Sequence, residues 1–169
     1  MARFTNPLTP GDWIEGYHGQ FISTTTQSAI IASTTQAVMF ENTVFSEGVT
    51  VEQDDNGYYT QLTFANPGTY NIQFSGQIHH TGGGGGGEIF TMWFRKNGTD
   101  MPDSRTIWHV ANGKYLVPVV NIFETIENPG DYVQLVGYPD NTSIVLEYNA
   151  ASAAGPAVPS VIITAAQVA

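Results

Sequence analysis

The clearest pattern in the sequence is an alternation of apolar and polar residues over positions 68–78. Successive side chains of a β-strand point to opposite faces, so this segment predicts a strand with one apolar and one polar face. The apolar positions, which we expect in the core of a sandwich, are Tyr70, Ile72, Phe74 and Ile78. The opposite positions are polar but uncharged. That face suits packing against another subunit, although an exposed face rich in amides has the same pattern.

A second informative segment, 115–123, is apolar at nearly every position. A strand covered on both faces has this pattern, whereas each strand of an isolated two-layer sandwich leaves one face in water. We therefore expect this strand to pack on the core with one face and on a partner subunit with the other. Pro118 must lie at an edge or a bulge, because proline cannot donate a ladder hydrogen bond. The residues that we predict at the subunit interface are Asn71, Gln73, Ser75, Gln77, His79, Tyr115, Val117, Val119 and Phe123.

Turn signals such as Asn56-Gly57, Asn97-Gly98 and Asn128-Pro129-Gly130 recur along the chain. Each supplies a positive or a preset φ at a chain reversal. No long window repeats apolar residues with the period of a helix, and 169 residues fit a single domain. Many short strands separated by turns predict an all-β sandwich.

The first 16 residues have two prolines and no clear apolar period. We predict an N-terminal arm over 1–16 and one domain over 17–169. The arm carries apolar side chains that a partner could bury, which favours a docking segment, although it could also fold back over its own domain. The candidate docking residues are Phe4, Pro7, Leu8, Trp13 and Ile14.

The chain is strongly acidic, with 5 Lys and Arg against 15 Asp and Glu and a net charge of −10. Such a surface repels phosphates, so we expect neither nucleic acid nor a membrane as a partner. Acidity also serves as a plain solubility device. Three of the five basic residues fall in one short stretch, and they are Arg95, Lys96 and Arg105.

Residues with catalytic or metal-binding potential are sparse. The glycine run Gly82–Gly87 lacks the lysine of a phosphate-binding loop and indicates a connection between strands. His79 and His80 are adjacent, so in a strand they point to opposite faces and cannot easily bind one ion, unless a symmetry axis brings several copies together. There is no cysteine. We predict no catalytic residues, no metal site and no cofactor.

Four landmarks resemble, in one order, the complement globular-head and tumour necrosis factor superfamily. They are the pattern Gly68-x-Tyr70-x-Ile72-x-Phe74 and the stretches 93–98, 129–135 and 160–164. The resemblance covers roughly residues 17–168. It implies a ten-strand antiparallel jelly-roll sandwich that associates as a homotrimer about a three-fold axis.

The stretch 95–104 and the closing segment 159–164 are similar to stalkless versions of this domain in virion proteins of tailed bacteriophages. That resemblance implies a non-enzymatic capsid decoration or cement protein that is made in the host cytoplasm and resides on the capsid surface of the virion. Its partners would be itself and the major capsid protein or another virion protein. The alternative is the receptor-binding head of a fibre or tail. In that case aromatic residues near the loops would stack on sugars, and the candidates are Tyr58, Tyr59, Trp108 and Tyr138.

Overall fold

The computed structural model describes residues 16–28, 32–82 and 87–169. Among these residues no helix is long and apolar enough to cross a membrane. Sixteen strands are present in this part of the chain, and every pairing between them is antiparallel. They are β1 His18–Ser23, β2 Gln27–Ser28, β3 Gln36–Ala37, β4 Asn42–Glu47, β5 Val49–Gln53, β6 Tyr59–Phe64, β7 Gly68–Gly76, β8 Ile78–His80, β9 Gly87–Lys96, β10 Thr99–Asp100, β11 Thr106–Ala111, β12 Tyr115–Leu116, β13 Val119–Ile126, β14 Tyr132–Pro139, β15 Ile144–Leu146 and β16 Val161–Gln167.

Ten of these strands have five residues or more, and six have only two or three. Because the short strands also pair, the predicted count of ten is not confirmed. Three strands, β2, β4 and β10, were not predicted. The longest of them, β4, is an edge strand whose side chains are almost all exposed, so it lacks the alternation that marks a half-buried strand.

The first layer is a five-stranded sheet in the order β13-β7-β16-β1-β4. Strand β7 pairs with β13 on one side and β16 on the other, and Ile72 lies opposite both Ile122 and Ala165. The predicted inward residues Tyr70, Ile72 and Phe74 are fully buried. The alternation in β7 therefore places one face of this sheet against the core, as the sequence predicted.

The second layer is a seven-stranded sheet in the order β10-β9-β14-β6-β5, with β11 paired to β9 and β3 paired to β14. Its inward side chains include Phe94 on β9, Leu135 on β14 and Leu62 on β6, all of them buried. Side chains of both layers belong to one continuous hydrophobic cluster. The chain is therefore a two-layer antiparallel sandwich with a single core.

The segment predicted as one strand over 68–78 is interrupted at Gln77. The Gln77 N–H donates to the Ser160 carbonyl at 2.8 Å, and its carbonyl accepts from the Glu147 N–H at 2.8 Å. The paired segment is interrupted at the same level, where Pro118 separates β12 from β13. Pro118 thus lies between two edge strands, β12 and β13, in agreement with the predicted edge position. Beyond it, β8 belongs to a four-stranded sheet in the order β12-β8-β15-β2.

The core makes a direct prediction for stability. Ile72→Ala removes a fully buried side chain between the layers, whereas Ile107→Ala removes the same atoms from an exposed position on β11. We expect Ile72→Ala to lower the free energy of unfolding by about 2–5 kcal/mol. Ile107→Ala should change it by about 0.5 kcal/mol or less. Denaturant titration of both variants provides the measurement, and equal losses would contradict the burial of Ile72.

Candidate subunit interface

The outer face of the five-stranded sheet is the side turned away from the core. Residues that lie opposite one another on β13, β7 and β16 share this face, because paired residues point to the same side of a sheet. Three rows of residues cross it. They are Val119–Ser75–Ile162, Asn121–Gln73–Thr164 and Phe123–Asn71–Ala166.

Large apolar side chains are exposed on one part of the outer face. The exposed fraction is 71% for Val119 and 65% for Phe123. In the segment just before β13, about half of Tyr115 and Val117 is exposed as well. The neighbouring Val120 and Ile122 pack against the core. Strand β13 is therefore apolar on both faces, as predicted, and its outer face is uncovered in the single chain. Burying a side chain of this size contributes about 1.5–3 kcal/mol.

The rest of the three rows is uncharged. It consists of amide and hydroxyl side chains, supplied mainly by β7, together with Ile162 and Ala166 of β16. An interface without charged groups avoids the large desolvation penalty of buried ions. The Oδ1 atom of Asn71 is buried within the chain and has no hydrogen-bond partner among the described residues. A buried acceptor without a donor costs about 1–3 kcal/mol, which other interactions of the fold must offset.

Beyond the break at Gln77, three side chains form a cluster. The His79 and Tyr115 rings stack with their centroids 4.1 Å apart, as expected for residues that lie opposite each other on β8 and β12. His79 Nδ1 lies 3.1 Å from Glu147 Oε2, and the Tyr115 hydroxyl donates to the same oxygen. Glu147 thus joins two residues that the sequence assigned to the interface.

The cluster changes the acidity of two of its members. The hydrogen bond to Glu147, followed by burial, raises the pKa of the Tyr115 phenol. Burial acts to raise the pKa of Glu147, but the hydrogen bond from Tyr115 and the nearby His79 ring outweigh it and hold that pKa below its usual value. The fold therefore favours an ionised Glu147 beside a neutral Tyr115.

The second histidine is separated from this cluster. His80 is buried and its Nδ1 lies 3.2 Å from Asn112 Oδ1, whereas His79 is half-buried on the other face of the same strand. The two rings point apart, as the alternation predicted. Among residues 16–28, 32–82 and 87–169, no three His, Asp or Glu side chains are grouped to hold a metal ion.

The structure brings most of the predicted interface residues onto one surface, with Gln77 at the break between the two sheets. Sequence reasoning missed the contribution of β16, where Ile162, Thr164 and Ala166 complete the three rows. The burial of Val161–Gln167 alternates, but the sequence does not, because the outward Ile162 and Ala166 are apolar like their buried neighbours. No local signal therefore identified the outward residues of β16. The predicted docking arm lies outside the described residues, apart from Gly16.

Two clefts lie away from this surface, on the seven-stranded sheet. The larger has a volume of about 640 Å³ beside the turn at Asp54–Tyr58, and the smaller has about 470 Å³ between Trp93 and Tyr138. Of the aromatic residues predicted to stack on sugars, Tyr58 and Tyr138 line these clefts. Trp108 packs partly on the core instead.

The Tyr115–Glu147 hydrogen bond predicts a pH-dependent contribution to folding. Because the phenol pKa is raised in the folded state, the bond stabilises the fold below the ordinary tyrosine pKa. That contribution is lost as the pH rises through the raised value. Glu147→Gln should return the Tyr115 pKa toward its ordinary value. Ultraviolet titration measures this pKa when the curve of each protein is compared with that of the same protein carrying Tyr115→Phe. An unchanged Tyr115 titration would contradict the cluster.

Comparison with known proteins bears on the fold. No family model and no curated protein sequence matches the chain. The globular domain of zebrafish complement 1qA protein is similar in structure, with a TM-score of 0.59 and 11% identity over 90% of this chain and 98% of that one. Murine APRIL, in a crystal structure at pH 5.0, also has a TM-score of 0.59 and 11% identity, over 91% and 100%. These likenesses confirm an all-β jelly-roll fold, which the chain shares with both structures.

Proposed function

We propose that the chain is a virion structural protein of a tailed bacteriophage, a capsid decoration or cement protein that acts as a homotrimer. The observation that carries the self-association is the outer face of the five-stranded sheet, where Val119 and Phe123 are largely exposed beside uncharged rows. The viral setting is supported by the resemblance of the stretches 95–104 and 159–164 to phage virion domains.

In this proposal the outer face is buried around a three-fold axis, so that three chains cover one another's exposed apolar side chains. A trimer also matches the local three-fold positions of a capsid shell. The arm over 1–16 would dock on the major capsid protein or another virion protein. Binding to the assembled shell stabilises it, because a ligand that binds only one state shifts the equilibrium toward that state.

The proposed trimer predicts a molecular mass and a variant that should dissociate into monomers. Light scattering at micromolar concentration should give about three times the chain mass of 18.3 kDa. The double variant Val119→Asp and Phe123→Asp places two charges on the outer face, so it should dissociate the trimer into folded monomers.

The matched control is Ile107→Asp, which puts a charge at an exposed apolar position outside the outer face. It should leave the mass unchanged. A wild-type monomer at micromolar concentration would reject the trimer, and an intact trimer in the double variant would reject this face as the interface.

A second candidate function is the receptor-binding head of a fibre or tail. The observation that favours it is the pair of clefts on the seven-stranded sheet, which burial of the other sheet's outer face leaves uncovered. Both clefts carry aromatic and polar side chains, the combination found in sites for small polar ligands.

Particles with and without the protein separate the two functions. If the chain is a decoration protein, shells that lack it should release their DNA at a lower temperature, and adding the purified trimer should restore the loss. A chain without residues 2–16 should remain trimeric but should fail to restore it. Shells that are equally robust without the protein but do not adsorb to cells would favour the receptor-binding head.

A further inference from the structure

The basic residues of this acidic chain are distributed unevenly between paired and unpaired positions. Lys96 is held by Glu124 and Glu127, and Arg95 pairs with Asp100 through a 2.9 Å contact. In the described part of the chain, the cations without an ion pair are Arg105 and Lys114. An exposed guanidinium that is already free of an internal partner is available to an external anion.

Arg105 lines the smaller cleft together with two aromatic side chains, Trp93 and Tyr138. Trp93 lies opposite Val136 and Tyr138 lies opposite Thr91 on the paired strands β9 and β14. The residues flanking Trp93 on β9 are buried in the core, so its ring faces the outer side of the seven-stranded sheet. The cleft therefore combines aromatic rings with a free guanidinium.

The Trp93 ring is fixed by the hairpin of β9 and β10. Its turn, Asn97-Gly98, has positive φ at both residues, as a tight two-residue hairpin requires. The resulting register places Asp100 opposite Arg95. Asp100 Oδ1 accepts from Trp93 Nε1 at 2.8 Å and from Arg95 Nε at 2.9 Å, so this carboxylate is engaged in orienting the indole. These bonds, that from Trp93 above all, lower the pKa of Asp100 and keep it ionised.

The far side of the cleft is also anchored to β9. Ser104 is buried, and its Oγ accepts from the Phe94 N–H at 3.0 Å and donates to the Met101 carbonyl at 2.9 Å. These bonds hold the connection between β10 and β11 against the sheet. Arg105 follows Ser104 directly, so its backbone position is fixed while its side chain remains exposed.

We propose that this cleft binds an acidic saccharide, with Trp93 and Tyr138 contacting a sugar ring and Arg105 binding its carboxylate. The apolar C–H face of a sugar packs on aromatic rings, and the planar guanidinium matches a carboxylate with two parallel hydrogen bonds. A cleft of about 470 Å³ is within the size range of small-molecule sites. A biological role for this ligand rests on the second candidate function, the receptor-binding head of a fibre or tail.

The net charge of −10 does not prevent binding of an anion here. Exposed charges are screened over about 8 Å at physiological ionic strength, so the charges at the cleft dominate. Arg105 has no ion-pair partner in the described part of the chain, whereas Arg95 balances the negative charge of Asp100. The larger cleft differs in this respect, because it is lined by Asp54 and Asp55 against the single cation Arg95.

The test begins with an array of acidic and neutral glycans probed with the full chain. An acidic glycan that binds is then titrated by calorimetry. Its methyl ester, which keeps the sugars but removes the charge, is titrated in a separate experiment. We expect binding of the acid and a loss of about tenfold or more for the ester. Arg105→Gln should weaken binding of the acid by a similar factor, and Arg105→Lys should restore only part of it because lysine lacks the planar fork.

Lys114→Gln is the matched control, since it makes the same change in net charge at an exposed cation outside the cleft. It should leave the affinity unchanged. Trp93→Leu should weaken the acid and its ester alike, because it removes ring contacts rather than charge. The assignment would be overturned if no acidic glycan bound, or if the acid and its ester bound equally well. It would also be overturned if Arg105→Gln and Lys114→Gln lost equal affinity, or if a mononucleotide titrated in parallel bound more tightly than the glycan. Adsorption of particles is measured separately, so the second candidate function can stand or fail independently.

Discussion

Burial of alternate side chains of β7 between the two sheets is the interaction on which the rest of the structure depends. Once Tyr70, Ile72 and Phe74 fill the core, the pleat forces Asn71 and its alternate neighbours to the opposite face. A slip of one residue would exchange the two sets and bury amides in an apolar core. The register of β13 and β16 on either side of β7 follows from this constraint.

The same constraint accounts for the uncovered apolar surface. Strand β13 must present Val120 and Ile122 to the core, so the alternating Val119 and Phe123 face outward. A single chain cannot bury both faces of this edge strand, and a second copy can. The two sheets thus have different surfaces. One presents uncharged rows with exposed apolar side chains, and the other presents clefts with aromatic and charged side chains.

The sequence predicts best where neighbouring residues decide the outcome. Alternation in 68–78 and the apolar run in 115–123 gave the inward residues and the two-sided strand, because side-chain period needs no knowledge of the partner strand. The break at Gln77 depends on hydrogen bonds to Ser160 and Glu147, which are distant in sequence. No local pattern encodes such contacts.

The sites show the same division between local and distant determinants. Glu147 joins the interface cluster only because β15 pairs with β8, and Arg105 meets Tyr138 only because β9 lies between their segments. Sequence reasoning noted the cluster of bases near Arg95 but had no means to separate the paired ones from the free one. Contacts between residues distant in sequence, such as Lys96 with Glu124 and Glu127, decide which of these bases are paired.

The central claim is that the outer face of the five-stranded sheet is covered by other copies of the chain. Phe123 on that face and Tyr58 at the larger cleft are both more than half exposed in the single chain, at 65% and 53%. Hydroxyl-radical footprinting at micromolar concentration, with oxidation of each aromatic side chain read by mass spectrometry, compares them directly. If other copies cover the face, Phe123 is protected and Tyr58 is oxidised, and equal oxidation of the two would contradict the claim.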